Sequence, residues 1–564
     1  MFLKRKNHSD TPLAPLEQEE LFTKVRCNWG GQAEVGEIPK RLEELEEDIT
    51  RQENQIFQLE TRLYSLKIQN KRAKQSASRC RSLLSPIRRL PNEILTRILY
   101  SESGQIQFFT GSGCKIPVSF SDIKENRIFD LMAVSIHWRS IILSTPIFWS
   151  DLSVCFSSNL KKDSHSLSPG KALATLEKLL DRSAAAPLTL VLTGLFDDLQ
   201  YARGFLNALA RHSDRWKAFS WLVYTPLRSD SDETVDCDID IHGLSQLKSL
   251  GLIYRYPTFL TKTLLRSTNL YKVTLGNFYD AFLELPRLQI TTLCLTGAYD
   301  PPPYRAFGHF PNVENLSIRV SETTRISHPN IPIVMFEKLH TLSVSNSLSA
   351  NSNVLVALLN SLTAPVLTTL SLSAIDLTLN RPSLAPSTIT AFLQRSNCML
   401  LHLTLENLYL EEDELVSLLH STPSLVTLHI TEPTLLRDLE YDRSKFHVVS
   451  DKLLHKLSGL ECASETSSYP PSILLPNLER LYLTVNGSMF NDKSFVRMVN
   501  SRWMLGLESN GVSFNDIIGR NRLRFVELKL RGRVLDSIAR KEMDRAGRLD
   551  MVIRILENLK VSRV

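Results

Sequence analysis

Residues 367–372 (LTTLSL), 400–405 (LLHLTL) and 425–430 (LVTLHI) share one pattern, with apolar residues at positions i, i+3 and i+5. Successive side chains of a strand point to opposite faces, so positions i+3 and i+5 predict a short strand with one buried face. The residue at position i is expected to pack where the chain enters that strand. One such unit cannot bury its leucines alone, so the pattern predicts a stack of units.

This pattern occurs ten times, and most copies begin 20–33 residues apart, which overlaps the range of leucine-rich repeats. Helical stretches at 355–359, 389–393 and 415–419 lie between copies. Helix and strand therefore alternate, which predicts an α/β fold, a leucine-rich-repeat solenoid over residues 170–564 with a parallel sheet on its concave side and a C-terminal cap. The asparagine expected eight residues after the first leucine is present only at Asn486, so the solenoid should be irregular. The copies begin at Leu247, Leu270, Ile290, Val313, Leu339, Leu367, Leu400, Leu425, Leu478 and Phe525.

Residues 38–80 predict a long coiled-coil helix that precedes the repeats. Apolar residues occupy the a and d positions of nearly four heptads, and one polar residue interrupts them. Self-association and packing of a single helix against the rest of the chain are both compatible with this pattern. Residues 1–37 lack periodicity and are expected to be disordered. The a and d residues are Leu42, Leu45, Ile49, Gln52, Ile56, Leu59, Leu63 and Leu66.

Between the heptads and the repeats, residues 85–99 (SPIRRLPNEILTRIL) and 127–149 (RIFDLMAVSIHWRSIILSTPIFW) each predict an amphipathic helix. Pro91 suits the first turn of the first helix, and Pro146 ends the second. Two short helices cannot bury their apolar stripes alone. An ordinary helical hairpin inside a larger core is one interpretation of this pair.

These residues resemble the F-box proteins, particularly the large set found in mushroom-forming (basidiomycete) fungi. The resemblance covers roughly residues 40–530 and implies a three-helix F-box unit at 85–152. F-box units dock on the Skp adaptor subunit of a cullin-RING ubiquitin ligase. Two departures are Ser135, where many members have cysteine, and a longer loop at 101–126. The matching residues are Leu90-Pro91, Glu93, Ile94, Leu95, Ile98, Val134, Trp138-Arg139 and Leu143-Ser144-Thr145-Pro146 leading to Trp149.

The resemblance implies a substrate receptor that is not itself an enzyme, with the solenoid binding a protein substrate. The residues expected to form the Skp-binding surface, or to hold its helices together, are Leu90, Pro91, Ile94, Leu95, Ile98, Val134, Trp138 and Trp149. An interaction scaffold that keeps the fold without recruiting a ligase is the alternative.

Composition predicts a globular protein of several units, since 43% of its 564 residues are hydrophobic and 22% are charged. No apolar stretch approaches 18 residues, so no membrane span is expected. The eight cysteines form no CxxC pair, which argues against zinc ribbons and disulfide frameworks. The chain is therefore expected to be soluble and cytoplasmic or nuclear.

The net charge of +6 is carried by the C-terminal end, because residues 511–564 alone have that excess. Five arginines of this end form a cluster, which predicts a surface for an acidic or phosphorylated partner. Nucleic-acid binding is disfavoured, since neither aromatic stacking residues nor a known motif accompanies the cluster. The cluster consists of Arg520, Arg522, Arg524, Arg531 and Arg533.

No motif predicts catalysis or a cofactor. Residues 111–113 lack the third glycine of a dinucleotide site, and Gly170-Lys171 lacks the other residues of a phosphate-binding loop. Residues 236–242 (DCDIDIH) collect potential metal ligands, but their alternation with apolar residues predicts a half-buried strand with an acidic wet face.

Overall fold

The structure is a computed structural model of the whole chain. It divides into two compact units, residues 1–95 and 96–564, and the boundary falls within one helix. The predicted disorder at residues 1–37 lies almost wholly outside the described residues. The described residues are 23, 37–109, 126–156, 169–195, 199–224, 239–253, 260, 263–276, 285–297, 307–320, 333–346, 353–374, 386–408, 410–433, 447–459, 474–504, 522–547 and 552–559.

The described part of the first unit consists mainly of one long helix, α1 (Glu37–Leu83), of 47 residues. At 1.5 Å per residue it is about 70 Å long. A short 3₁₀ turn, Pro86–Arg89, follows it, and helix α2 (Asn92–Ser103) begins next. The predicted long N-terminal helix is confirmed.

The second unit contains an open parallel sheet of 15 strands, in which each strand pairs with the next one in the list below. A separate pair of two-residue strands, β9 (Val334–Met335) and β11 (Leu362–Thr363), lies outside it. The predicted α/β class and parallel sheet are confirmed. The 15 strands are β1 (Ile106–Phe109), β2 (Asp151–Phe156), β3 (Leu188–Leu195), β4 (Trp216–Tyr224), β5 (Ser249–Leu252), β6 (Lys272–Gly276), β7 (Thr292–Gly297), β8 (Asn315–Val320), β10 (Thr341–Asn346), β12 (Thr369–Ala374), β13 (His402–Glu406), β14 (Thr427–Thr431), β15 (Arg480–Asn486), β16 (Phe525–Arg531) and β17 (Val552–Leu559).

Helices alternate with many of these strands. The predicted helical stretches at 355–359, 389–393 and 415–419 fall within α7, α8 and α9. Within the described residues no helix is long and apolar enough to cross a membrane. The remaining helices are α3 (Arg127–Val134), α4 (Ile136–Ser144), α5 (Pro169–Arg182), α6 (Leu199–Ala210), α7 (Asn353–Asn360), α8 (Pro386–Ser396), α9 (Glu412–His420), α10 (Asp451–Ser458), α11 (Asp492–Met504) and α12 (Ser537–Gly547).

The repeated leucines form the core along one face of the sheet. Strand pairing aligns Leu342, Leu370, Leu403 and Leu428, and each is fully buried. The i+5 residues form a second buried row beside them. Because the strands from β1 to β16 in this sheet contribute the same two buried positions, apolar burial is continuous over this part of the stack, and it favours folding.

The predicted last copy, which begins at Phe525, is wrong by two residues. Leu481 pairs with Val526 and Leu483 pairs with Leu528, so this copy begins at Leu523. Phe525 instead pairs with Arg480 and is only half-buried on the opposite face. A shift of two residues preserves the alternation of faces, so periodicity alone could not distinguish the two registers.

The sheet begins earlier in the chain than the solenoid start predicted at residue 170. Strand β1 lies within the loop expected at 101–126 and pairs with β2, which in turn pairs with β3. Asn126, at the end of the predicted loop, bonds to β1, because its side chain accepts from the Gln107 N–H (2.6 Å) and donates to the Gln107 carbonyl (2.9 Å).

The predicted single helix over residues 127–144 is wrong, because the helix is interrupted at Ser135 and forms two helices, α3 and α4. The Ser135 backbone is extended, and its hydroxyl accepts from the Trp138 N–H at 3.1 Å. This is an N-cap, and serine is a favoured residue there because its oxygen satisfies a free N–H of the first turn. Arg139 spans the break by donating to the Met132 carbonyl at 3.2 Å.

Buried arginines connect neighbouring repeats, nearly all of which lack the expected asparagine. Arg502 in α11 donates to the carbonyls of Leu457 (2.5 Å), Leu475 (2.8 Å) and Leu474. Arg215 likewise donates to the carbonyl of Ala184. Leu475 and Ala184 both have positive φ, at 55° and 43°, which is costly for residues with a side chain. The guanidinium groups therefore hold strained backbone in place.

Candidate functional site

Two residues of the predicted F-box surface are core residues. Leu95 is 1% exposed and Trp149 is completely buried. The Trp149 indole donates to the Ile142 carbonyl at 2.9 Å, and the Arg182 guanidinium lies 4.8 Å from its ring centre. Trp149 therefore links the turn in which it lies to the two helices α4 and α5.

The other predicted residues differ in exposure. In the first unit, Leu90 is half-buried, whereas Pro91 and Ile94 are exposed. In the second unit, Trp138 is half-buried, whereas Ile98 and Val134 are exposed. Exposure leaves Ile98 and Val134 able to contact a partner directly.

The predicted surface left out four exposed apolar residues of the same stretch. Ile136 is 84% exposed, and Phe129, Leu143 and Ile147 are also exposed. The break at Ser135 brings Val134 and Ile136 to two adjoining helix ends, which a continuous helix would not do. Phe129 carried a usable signal, because it lies on the side of the helix where polar residues are expected. We call Ile98, Phe129, Val134, Ile136, Leu143 and Ile147 the helical apolar set.

The turn at Pro146–Trp149 fixes the end of this stretch. Phe148 is buried, and its ring meets Tyr100 of α2 edge-on at 5.9 Å. Asp151 follows the turn and accepts from the Gln105 side chain at 2.8 Å. Burial raises the pKa of Asp151, and that hydrogen bond opposes the rise. Packing of this turn therefore supports the segment that carries the helical apolar set.

The C-terminal arginine cluster is spread over different environments. Arg520 lies outside the described residues. The Arg522 guanidinium lies 5.2 Å from the Trp503 ring centre, and Arg524 is exposed.

Two further arginines of the cluster bond within the chain. Arg531 donates to the carbonyl of the buried Glu432 at 2.7 Å, and burial lowers the Arg531 pKa. Arg533 donates to both carboxylate oxygens of Asp492, at 2.8 and 2.6 Å. Burial raises the Asp492 pKa, but the hydrogen bonds from Arg533 and from the Asp536 N–H outweigh it and hold that pKa below its usual value.

The outer face of the sheet, opposite the buried leucines, changes character along the stack. Ser317, Ser343, Ser371 and Thr404 align on neighbouring strands. The same row then continues with larger groups. They are His429, Tyr482, Glu527 and Arg554.

These large side chains contact one another. The His429 and Tyr482 rings are 5.6 Å apart, the Tyr482 and Phe525 rings are 5.0 Å apart, and the Arg554 guanidinium lies 5.6 Å from the Phe525 ring centre. Lys529 bonds Glu527 at 2.9 Å. We call His429, Tyr482, Phe525, Glu527 and Arg554 the C-terminal sheet patch.

Sequence reasoning did not locate this patch, although a signal exists. Position i+4 of successive copies changes from Ser371 and Thr404 to His429 and Tyr482. Residues between the repeated leucines face away from the core, so they are free to vary with a binding role.

We expect His429 to titrate below the ordinary range of histidine. Burial lowers its pKa, whereas the Glu406 carboxylate, 3.8 Å from Nδ1, raises it. The variant Glu406→Gln removes this favourable partner of the protonated ring and should lower the His429 pKa further. NMR titration of the imidazole in both proteins measures this. A pKa that rises in the variant would contradict the described geometry.

The predicted half-buried strand at 236–242 is not present over its described part. Residues 239–242 are unpaired, although Ile239 and Ile241 are buried and Asp240 and His242 are exposed. Residues 236–238 lie outside the described residues. Among the described residues no group of histidine, cysteine, aspartate and glutamate could hold a metal ion.

Comparisons with known proteins give no information on the function of this chain. No protein-family model and no curated protein matches the chain. Function is therefore inferred from the helical apolar set and the C-terminal sheet patch.

Proposed function

We propose that this chain is the substrate-recognition adaptor of a Skp-cullin-F-box ubiquitin ligase. It carries no catalytic role of its own in this proposal. The observation that carries the proposal is the exposure of apolar side chains in the stretch that resembles the F-box. Val134 and Ile136 are 60% and 84% exposed, and Phe129 is 51% exposed. Exposed apolar groups concentrated in this way are typical of protein-binding surfaces.

The helical apolar set is the proposed contact with the Skp adaptor. Burying one large apolar side chain contributes about 1.5–3 kcal/mol, so a few of these residues can dominate an interface. The buried Trp149 supports the surface from within. The alternative of an ordinary hairpin is disfavoured, because a hairpin inside a core would cover these side chains.

The second unit is, in this proposal, an irregular leucine-rich-repeat solenoid whose sheet lies on the concave side and binds a protein substrate. The C-terminal sheet patch is the proposed contact. Tyrosine and arginine are enriched among the residues that dominate interfaces, and Tyr482 and Arg554 both lie there. Serines and threonines on the preceding strands offer less contact area.

Binding of a fungal Skp adaptor to the purified full chain tests the ligase part of this proposal. We expect a one-to-one complex that needs no further subunit. Failure of the folded chain to bind at micromolar concentrations would favour the scaffold without a ligase.

A separate test addresses the C-terminal sheet patch. We expect Tyr482→Ser combined with Arg554→Ser to reduce the enrichment of substrate proteins co-purified from fungal cells by about tenfold or more. Skp enrichment should stay unchanged. The control Thr341→Ala alters an outer-face residue of β10 and should behave as wild type. Equal enrichment of every co-purified protein by the patch variant would exclude the patch as the substrate contact.

A further inference from the structure

Helix α1 leaves its heptad seam uncovered. Six apolar a and d residues are between 51% and 66% exposed, which is unusual for a regular apolar stripe of this length. Such a stripe is normally covered by another helix. They are Leu42, Ile49, Ile56, Leu59, Leu63 and Leu66.

The charges of α1 are separated along its length. Residues 37–60 have a net charge of −5, whereas residues 61–83 have a net charge of +7 and contain no acidic residue. A second copy laid alongside in the same direction would place like charges together. A reversed second copy would place each half beside its opposite, so the helix is complementary to itself.

From this we infer that α1 pairs with α1 of a second copy of this chain in an antiparallel coiled coil. This inference does not depend on the proposed ligase function. In the heptad register nearest to full overlap of the two helices, Gln52 lies opposite Asn70 of the partner subunit. The two polar seam positions therefore meet each other rather than leucine, which is the usual way that polar seam residues fix a register.

Side-chain size supports the same register. The C-terminal part of the seam continues through two small residues, Ala73 and Ala77. In the antiparallel register the large Ile49 lies opposite Ala73 of the partner subunit, and Leu45 lies opposite Ala77 of the partner subunit. A parallel pair would instead place alanine against alanine and leave space, whereas alternating large and small residues fill the seam.

Two of the flanking e positions, Glu53 and Lys67, distinguish the two orientations by sign. The antiparallel register places Glu53 beside Lys67 of the partner subunit and Glu46 beside Lys74 of the partner subunit. A parallel pair would place Glu53 beside Asp48 of the partner subunit, and Lys67 beside Arg62 of the partner subunit. Like charges at these positions destabilise a coiled coil, and opposite charges stabilise it.

Charge-reversal variants therefore test the inference, because they should weaken an antiparallel dimer and strengthen a parallel one. Sedimentation velocity of the full chain should show a dimer. Glu53→Lys, or Lys67→Glu, should raise the dimer dissociation constant about tenfold, and the double variant should restore it. The control Glu47→Lys makes the same charge change on the outer side of the helix and should have little effect. Tighter association of either single variant would overturn the antiparallel orientation.

Cysteine cross-linking checks the register itself. Cys80 is exposed at a d position, and the antiparallel register places Leu42 opposite Cys80 of the partner subunit. Mild oxidation of Leu42→Cys should give a covalent dimer that is lost when Cys80→Ser is added. A covalent dimer through Cys80 alone would indicate a parallel pair, and a chain that remains monomeric at tens of micromolar would refute self-association.

Discussion

Replacing Arg502 by alanine is expected to lower the free energy of unfolding of the second unit by about 4 kcal/mol, because three buried backbone carbonyls lose a charged hydrogen-bond donor. The side chain is 1% exposed and donates to the backbone carbonyls of Leu457, Leu474 and Leu475 within the same unit. Without it, these carbonyls lose their guanidinium donor, and Leu475 keeps its unfavourable positive φ without that support.

Arg497→Ala is the matched control for this variant. Arg497 lies in the same helix, α11, but is exposed, so its loss should change stability by less than about 0.5 kcal/mol. Arg502→Lys should recover little, since an ammonium group cannot reach three carbonyls in the planar geometry of a guanidinium. Urea unfolding followed by circular dichroism measures all three. Equal stability of Arg502→Ala and Arg497→Ala would contradict the assigned hydrogen bonds.

Replacing Val134 and Ile136 together by aspartate is expected to weaken Skp-adaptor binding at least about 100-fold, while the fold remains intact. Both side chains are mostly exposed, so a charge there costs little in the free chain. In the proposed complex the two carboxylates would be buried against an apolar partner, and unpaired buried charge is strongly unfavourable.

Ile538→Asp is the control for the added charge, because Ile538 is 64% exposed in α12, outside the proposed interface. Its binding should equal that of the wild type. Trp149→Ala should behave differently from both, since it removes a buried side chain and should lower thermal stability along with binding. Calorimetric titration and thermal unfolding separate these effects. Unchanged binding of the Val134/Ile136 variant would remove these residues from the interface.

The sheet could be predicted from the sequence because its physical cause is repeated. Nearly every strand buries an apolar residue at the same two positions, so an error in one copy does not change the assignment of the others. The copy placed at Phe525 shows this, because its register was wrong by two residues while its strand, face and parallel pairing were still found.

Features with a single local cause could not be predicted in the same way. The helix break at Ser135 depends on a cap and on the Arg139 bond to Met132, not on periodicity. Strand β1 has four residues, too few for an apolar pattern to identify it. Arg502 resembles any arginine near a helix end until its acceptors, which lie 27 to 45 residues away along the chain, are known.

The same distinction between repeated and single local causes applies to the candidate sites. Sequence identified the stretch that carries the helical apolar set, but it could not separate the buried Trp149 from the exposed Val134, because both are large and apolar. The C-terminal sheet patch depends on pairing that brings Tyr482 and Phe525, 43 positions apart in the chain, to 5.0 Å. Only the register of the sheet reveals such neighbours.

The most direct test of the proposed adaptor role is size-exclusion chromatography of the full chain with a purified fungal Skp adaptor and the matching cullin. We predict that the chain elutes with the cullin only when the Skp adaptor is present, in equal amounts of all three. Elution of the folded chain apart from both proteins, at concentrations well above a micromolar, would contradict it.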